Sequence, residues 1–177
     1  MPPAWRAGAV PGAPVSPHSW YSLRPSKDVR MPTLVELFGK DPVRALVVAD
    51  CIALIEAQVK QKGFVIKSAF ATVKAIKKTF VPEVVDALLD DWLGKIQPHH
   101  DRWAVAKTST FSEYVTARSD DVAEDLLTVT DERAANSSHT TARKMYQRMR
   151  EGAKNNVVEA IPDLARLIER HMATAAA

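Results

Sequence analysis

The sequence is poor in the residues that staple, coordinate or cradle. One cysteine, Cys51, stands among 177 residues, which excludes an intramolecular disulfide framework and a thiolate zinc cluster and makes a reducing cytoplasm the natural setting. Six glycines, scattered through the chain, leave no Gly-rich phosphate loop and no dinucleotide fingerprint. No window reaches the roughly 18–20 uninterrupted apolar residues that a membrane-spanning helix needs, so the chain is not expected to cross a bilayer. Sustained period-two alternation and tight hairpin dipeptides are missing, and no strand is expected. There is no fixed-period repeat, and the heptads are too irregular for a long coiled coil.

What is present suits one helical domain behind a leader. Six of the eleven prolines fall in residues 1–30 with Gly8, Gly12 and many small residues, a stretch unable to bury enough surface to offset its ordering entropy and expected to be disordered. It resembles neither a secretory signal nor an amphipathic transit peptide, since Pro11, Pro14 and Pro17 interrupt it. Trp5, Trp20 and Tyr21 could form a recognition motif in such a tail, but Met31, Pro32 and Thr33 read as a natural beginning, with the upstream residues an over-extended start or a dispensable tail. The leader also holds the whole formal charge of +3: Arg6, Arg24, Lys27 and Arg30 stand against Asp28, while residues 31–177 carry 20 basic and 20 acidic side chains. The domain is neutral, so the basic balance says nothing about its partner.

From residue 31 to 172 the pattern predicts an all-α compact bundle of about six to eight helices, with 173–177 as a flexible tail. Thr33 and Glu36 have capping-box spacing, opening a short helix closed by Gly39, and Asp41-Pro42 begins the next, which runs to Gly63. That second helix is apolar nearly all round: Val47, Val48, Cys51, Ile52, Leu54, Ile55 and Val59 form one broad face with alanines on much of the other, the character of a helix at the centre of a bundle. Phe64 to Phe80 carries one apolar stripe flanked by Lys67, Lys74 and Lys78, and Pro82 begins a partner helix through Leu88, Leu89, Leu93 and Ile96. Pro98 is expected to start a short segment with His99, His100 and Trp103. Thr110 and Glu113 repeat the capping-box spacing, and Ser119 is expected to cap a helix with Asp120, Asp121, Glu124 and Asp125 in its first turns, where the helix dipole favours acids. After a polar break at Asn136 to Ser138 come an inward stripe, Ala142, Met145, Tyr146, Met149 and Ala153, and a last helix from Asn156 to Met172 kinked or restarted at Pro162.

None of the candidate chemistry converges. His99-His100-Asp101 is the one cluster of metal-binding residue types, and a His-Asp pair in a helical protein suggests metal-dependent phosphoester hydrolysis. That chemistry needs an upstream histidine, and His18 in the leader is the only one; the cluster is expected to be a solvated helix start, with no metal and no cofactor. Cys51 sits mid-face on the most apolar helix and reads as a small core hydrophobe. Asp50, near the edge of that face, is a candidate for a perturbed carboxylate or a paired one. The members of Asp90-Asp91 and Asp120-Asp121 point to different sides of their helices, so neither makes a two-carboxylate site. Lys67, Lys74 and Lys78, and again Arg143, Arg150 and Lys154, fall at i, i+7, i+11 and form two basic strips that could hold a nucleic-acid backbone or an anionic lipid surface. Against that, lysines near one helix end facing Glu83, Asp86 and Asp90 are what dipole compensation and surface pairing produce.

The stretches SDDVAEDLLTVTDERA (119–134) and GAKNNVVEAIPDLARLIERH (152–171), with the opening MPTLVELF, resemble a family of short bacterial proteins, a domain of unknown function. The resemblance covers about residues 31–172 and implies a bacterial, cytoplasmic protein without supplying catalytic or binding residues. The residues themselves favour a non-enzymatic module working by association with itself or a partner protein. Two alternatives stay open: an anionic ligand or surface on the basic strips, and an apolar small molecule inside the bundle, since sequence cannot separate a packed core from a lined cavity.

Overall fold

The computed structural model describes residues 31–76, 78–136 and 140–175, without the side chains at 69, 72, 73, 76, 140–143, 145, 146, 148, 149 and 151. The expected disorder of residues 1–30, part of the polar break at 136–138 and most of the inward stripe beginning at Ala142 therefore lie outside the described residues. The chain divides into residues 1–31 and Pro32–Ala177. Among the described residues the second unit holds seven helices and no strand: α1 (Leu34–Phe38), α2 (Val43–Gln61), α3 (Phe64–Ile76), α4 (Phe80–Ala106), α5 (Phe111–Thr116), α6 (Ser119–Ala135) and α7 (Thr140–Ala175).

Two long helices organise the rest. Helices α1, α2, α5 and α6 each pack against both α4 and α7, while α3 lies against α2 and α4. The core joins Leu34 and Phe38 of α1, Leu89, Leu93 and Ile96 of α4, Phe111 and Val115 of α5, Val122 and Leu126 of α6, and Ile161, Ala165 and Ile168 of α7.

Both long helices run through a proline, where Pro98 was expected to start a new segment and Pro162 to kink or restart the last helix. Pro98 lies inside α4 and Pro162 inside α7. An interior proline removes one backbone hydrogen bond and crowds the preceding turn, at a cost of about 3 kcal/mol. The apolar stripe of α4 nevertheless continues in helical register from Leu89, Leu93 and Ile96 to His99, His100 and Trp103. His99 and His100 are each only 2% exposed, so the expected solvated helix start is instead the buried second half of one helix. The expected tail is likewise shortened, because α7 continues through residues 173–175.

Helix α2 departs from expectation in the other direction. It was expected at the centre, yet Val47 is its one fully buried residue, Val48, Cys51, Ile52, Leu54, Ile55 and Val59 are half-buried, and Leu46 is exposed. Ser119 is the first residue of α6 and not its cap; its hydroxyl donates to the Thr116 carbonyl at 2.7 Å.

The two short helices are too brief to persist alone, and each is held by two layers of capping. Thr33 and Glu36, and Thr110 and Glu113, form reciprocal capping boxes as their spacing predicts. A side chain from a long helix completes each terminus. Gln97 Oε1 of α4 accepts from the Leu34 amide at 2.7 Å. Glu169 of α7 accepts from the Phe111 amide at 2.9 Å and from the Ser112 hydroxyl at 2.7 Å. At the end of α1, Gly39 has no room for a side chain: a Cβ there would stand 2.5 Å from the Val35 carbonyl oxygen. Arg44 of α2 closes this corner, donating to Asp86 at 2.7 Å and to Asp90 at 2.8 Å on α4.

Removing the α7 carboxylate leaves the α5 amides without their acceptor. Glu169→Ala is expected to lower stability by about 1–2 kcal/mol, a charged capping bond's worth, with Glu169→Gln losing less because it keeps one acceptor; urea unfolding midpoints compare the two.

Candidate functional site

The residues that give α2 its all-round apolar character line empty space on two sides. On one side, Val47, Cys51 and Leu54 face Leu89, Trp92, Leu93 and Ile96 of α4, Leu126, Leu127 and Thr130 of α6, and Val157, Leu164 and Ile168 of α7 across a partly enclosed cavity of about 230 Å³. On the other, Leu54, Ile55 and Val59 face Ile66 and Phe70 of α3 and Val157 and Ala160 of α7 across an open groove of about 410 Å³. Leu54, Ile55 and Val157 belong to both walls, so cavity and groove are neighbours separated by three side chains. The sequence-based reading of α2 as a central helix identified the right residues and the wrong reason: they surround voids.

Three polar side chains are among those lining the groove, Gln58 and Lys62 of α2 and Asn156 of α7. Gln58 Nε2 donates to Asp163 Oδ2 at 2.7 Å, and Lys62, whose side chain is 11% exposed, is paired with Glu159. The cavity wall itself is apolar apart from Cys51 and Thr130. Burial, with the neighbouring Asp50 carboxylate, pushes the Cys51 thiol up to about 11, so it is protonated and unreactive at neutral pH. Such a wall offers shape and apolar surface, and no nucleophile or acid–base pair.

The other candidates take structural partners. His99 Nδ1 lies 3.4 Å from Arg102 Nη2, which can only donate, so Nε2 carries the proton and donates to Asp125 Oδ2 at 2.7 Å, tying α4 to α6. His100 packs among Trp103 and Phe111, with ring centroids 5.5 and 5.9 Å away. Among the described residues no three His, Cys, Asp or Glu side chains are grouped to hold a metal ion. Asp90 and Asp91 diverge as expected, to Arg44 and to Arg133. Asp50 accepts from His171 at 2.9 Å and from Arg170 at 3.0 Å. Burial raises its carboxyl, but those two bonds outweigh burial and hold it below the ordinary carboxylate value.

The basic strips are only partly open. Lys74 is paired with Glu56 at 2.7 Å. Arg150 forks onto Asp131 at 2.8 Å and Glu124 at 2.6 Å, and Lys154 approaches the same glutamate at 3.3 Å. Lys67 and Lys78 are exposed, and the side chain of Arg143 lies outside the described residues.

The geometry defines an all-helical domain with an apolar cavity and, among the described residues, no convergent polar site. Residues 34–172 match the family of unknown function DUF6918, and the chain belongs to that family. No curated protein matches the chain, and no solved structure does. No helix among the described residues is long and apolar enough to cross a membrane.

Two outcomes follow from these protonation states. A water-soluble disulfide reagent is expected to label Cys51 only under denaturing conditions, read as absorbance against time with and without urea. Because folding lowers the Asp50 carboxyl, its stabilisation is complete above the ordinary value near 4 and is lost as pH falls through the lower folded value. Asp50→Asn is therefore expected to destabilise at pH 7 by about 0.5–1 kcal/mol, the range of a half-exposed ion pair, and to flatten the acid limb of the stability–pH curve.

Proposed function

We propose that this domain is a non-enzymatic binding module for an apolar small molecule, whose body occupies the bundle cavity and whose end lies along the groove beneath α3. The carrying observation is the cavity of about 230 Å³. It exceeds the roughly 150 Å³ apolar void known to stay dry and take up benzene. Fully enclosed and empty, a void that size would cost about 5.5 kcal/mol at roughly 24 cal/mol per Å³, and its partial opening lowers the cost below that ceiling. Occupation by a ligand removes that cost, and cavity and groove together match the size of small-molecule sites, roughly 300–1,000 Å³. A protonated, lone thiol in the wall fits the reducing cytoplasm we assign to the protein.

Association with a second copy or a partner protein draws less support. Of the several apolar helix faces that prompted it, that of α2 is turned largely onto the cavity and groove, through Val47, Cys51, Leu54, Ile55 and Val59. The exposed large hydrophobics of the bundle are spread over α2, α3 and α4, with Leu46, Phe80 and Val105 on different helices or opposite ends.

The test is a titration of the full chain with the neutral fluorophore N-phenyl-1-naphthylamine. One probe per chain is expected to bind. Val157→Phe, which adds bulk to the wall shared by cavity and groove, is expected to weaken binding at least tenfold while helicity is kept and the thermal midpoint is unchanged or raised. Uptake by the variant equal to that of the parent overturns the assignment of the cavity; no uptake by the parent, with dimer in sedimentation velocity, returns the protein to association.

A further inference from the structure

Between Glu56 and Glu83 the chain has no acidic residue and six lysines. In the middle of that stretch α2 ends at Gln61 and α3 begins at Phe64, so Lys62 and Gly63 make the turn. At its tip Phe64 is 83% and Val65 77% exposed, side by side in sequence and pointing into solvent. Lys60 precedes them and Lys67 follows, both exposed. The next residues inward, Ile66 and Phe70, turn to the groove, so the helix has its own inward face and the tip residues are not needed to cover it.

We infer that this tip docks on an anionic lipid bilayer, with Phe64 and Val65 entering the interface and Lys60 and Lys67 resting on the headgroups. An apolar wedge with a basic collar is the arrangement of interfacial anchors, where insertion and charge attraction act together. A protein partner would account for the wedge alone: the acids nearest the turn, Glu159 and Glu56, are taken up by Lys62 and Lys74, which leaves Lys60 and Lys67 as the collar a partner would have to match. A nucleic acid would account for the lysines and could stack a base on Phe64, but it would leave Val65, 77% exposed and without a ring face, unexplained. The inference stands on the tip residues and holds whether or not the cavity takes a ligand.

The experiment sediments the full chain with vesicles of phosphatidylcholine, or of phosphatidylcholine with phosphatidylglycerol at about 7:3, at low and high salt. Binding is expected only to the anionic vesicles and is expected to be largely released by high salt. Phe64→Ser with Val65→Ser keeps every charge and is expected to weaken binding at least fivefold; Lys60→Glu with Lys67→Glu is expected to weaken it at least tenfold. All four side chains are exposed, so circular dichroism and thermal midpoints should match the parent, and Val157→Phe should sediment as the parent does. The inference is overturned by three results. One is a parent that ignores anionic vesicles at low salt. Another is a tip variant that binds them undiminished, which would assign the attraction to the basic leader. The third is a parent that prefers a single-stranded oligonucleotide, with the lysine pair mattering and Phe64 and Val65 not.

Discussion

Two long helices keep their apolar faces in register across an interior proline, and the rest of the bundle is arranged on them. A proline in mid-helix costs about 3 kcal/mol, whereas burying one large apolar side chain returns about 1.5–3 kcal/mol. Near Pro98, α4 buries Leu89, Leu93 and Ile96, and near Pro162, α7 buries Ile161, Leu167 and Ile168. A handful of such side chains outweighs each break, so α4 and α7 persist. If α4 ended at Pro98, Gln97 would lose its fixed place over the amide of Leu34 and His100 its place against Phe111. Both short helices depend on that continuity.

With α4 and α7 set, α1, α2, α5 and α6 bridge them, and one bridge is imperfect. Helix α2 brings small and medium side chains, Val47 and Cys51, to a position enclosed by Leu93, Leu126 and Leu164. Protein interiors are ordinarily filled to the density of organic crystals, and a missing methyl group is felt. A space of about 230 Å³ in that setting is a departure from packing that needs an occupant or a cost, and the same helix edges the groove under α3. The rim pairs Gln58 with Asp163 and Lys62 with Glu159 hold α2 to α7 at the edge of this unfilled region, where apolar packing alone would hold it weakly.

Local rules were legible in the sequence and tertiary ones were not. The capping boxes at Thr33 and Thr110, the end of α1 at Gly39 and the divergence of Asp90 from Asp91 were readable because each depends on residues within four positions. Pro98 was misread because a local rule, proline opens helices, competed with a stripe whose strength lies in what it packs against. His99 and His100 were misplaced with it. The caps from Gln97 and Glu169 left no signal, since their partners are 63 and 58 residues away in the chain. The site residues the sequence offered were the two basic strips, and the cavity lining was legible only as core: Val47, Cys51, Leu54 and Leu126 look identical in sequence whether they meet a neighbour or face a void.

The wall of the cavity contains an optical consequence. The described residues hold two indoles. Trp103 donates its ring N–H to the Ser109 carbonyl at 2.9 Å, outside the void, whereas Trp92 forms part of the cavity wall. Indole emission follows the polarity of its surroundings, so whatever enters or leaves the bundle changes the colour of one ring and spares the other. The protein carries its own gauge of how wet its interior is.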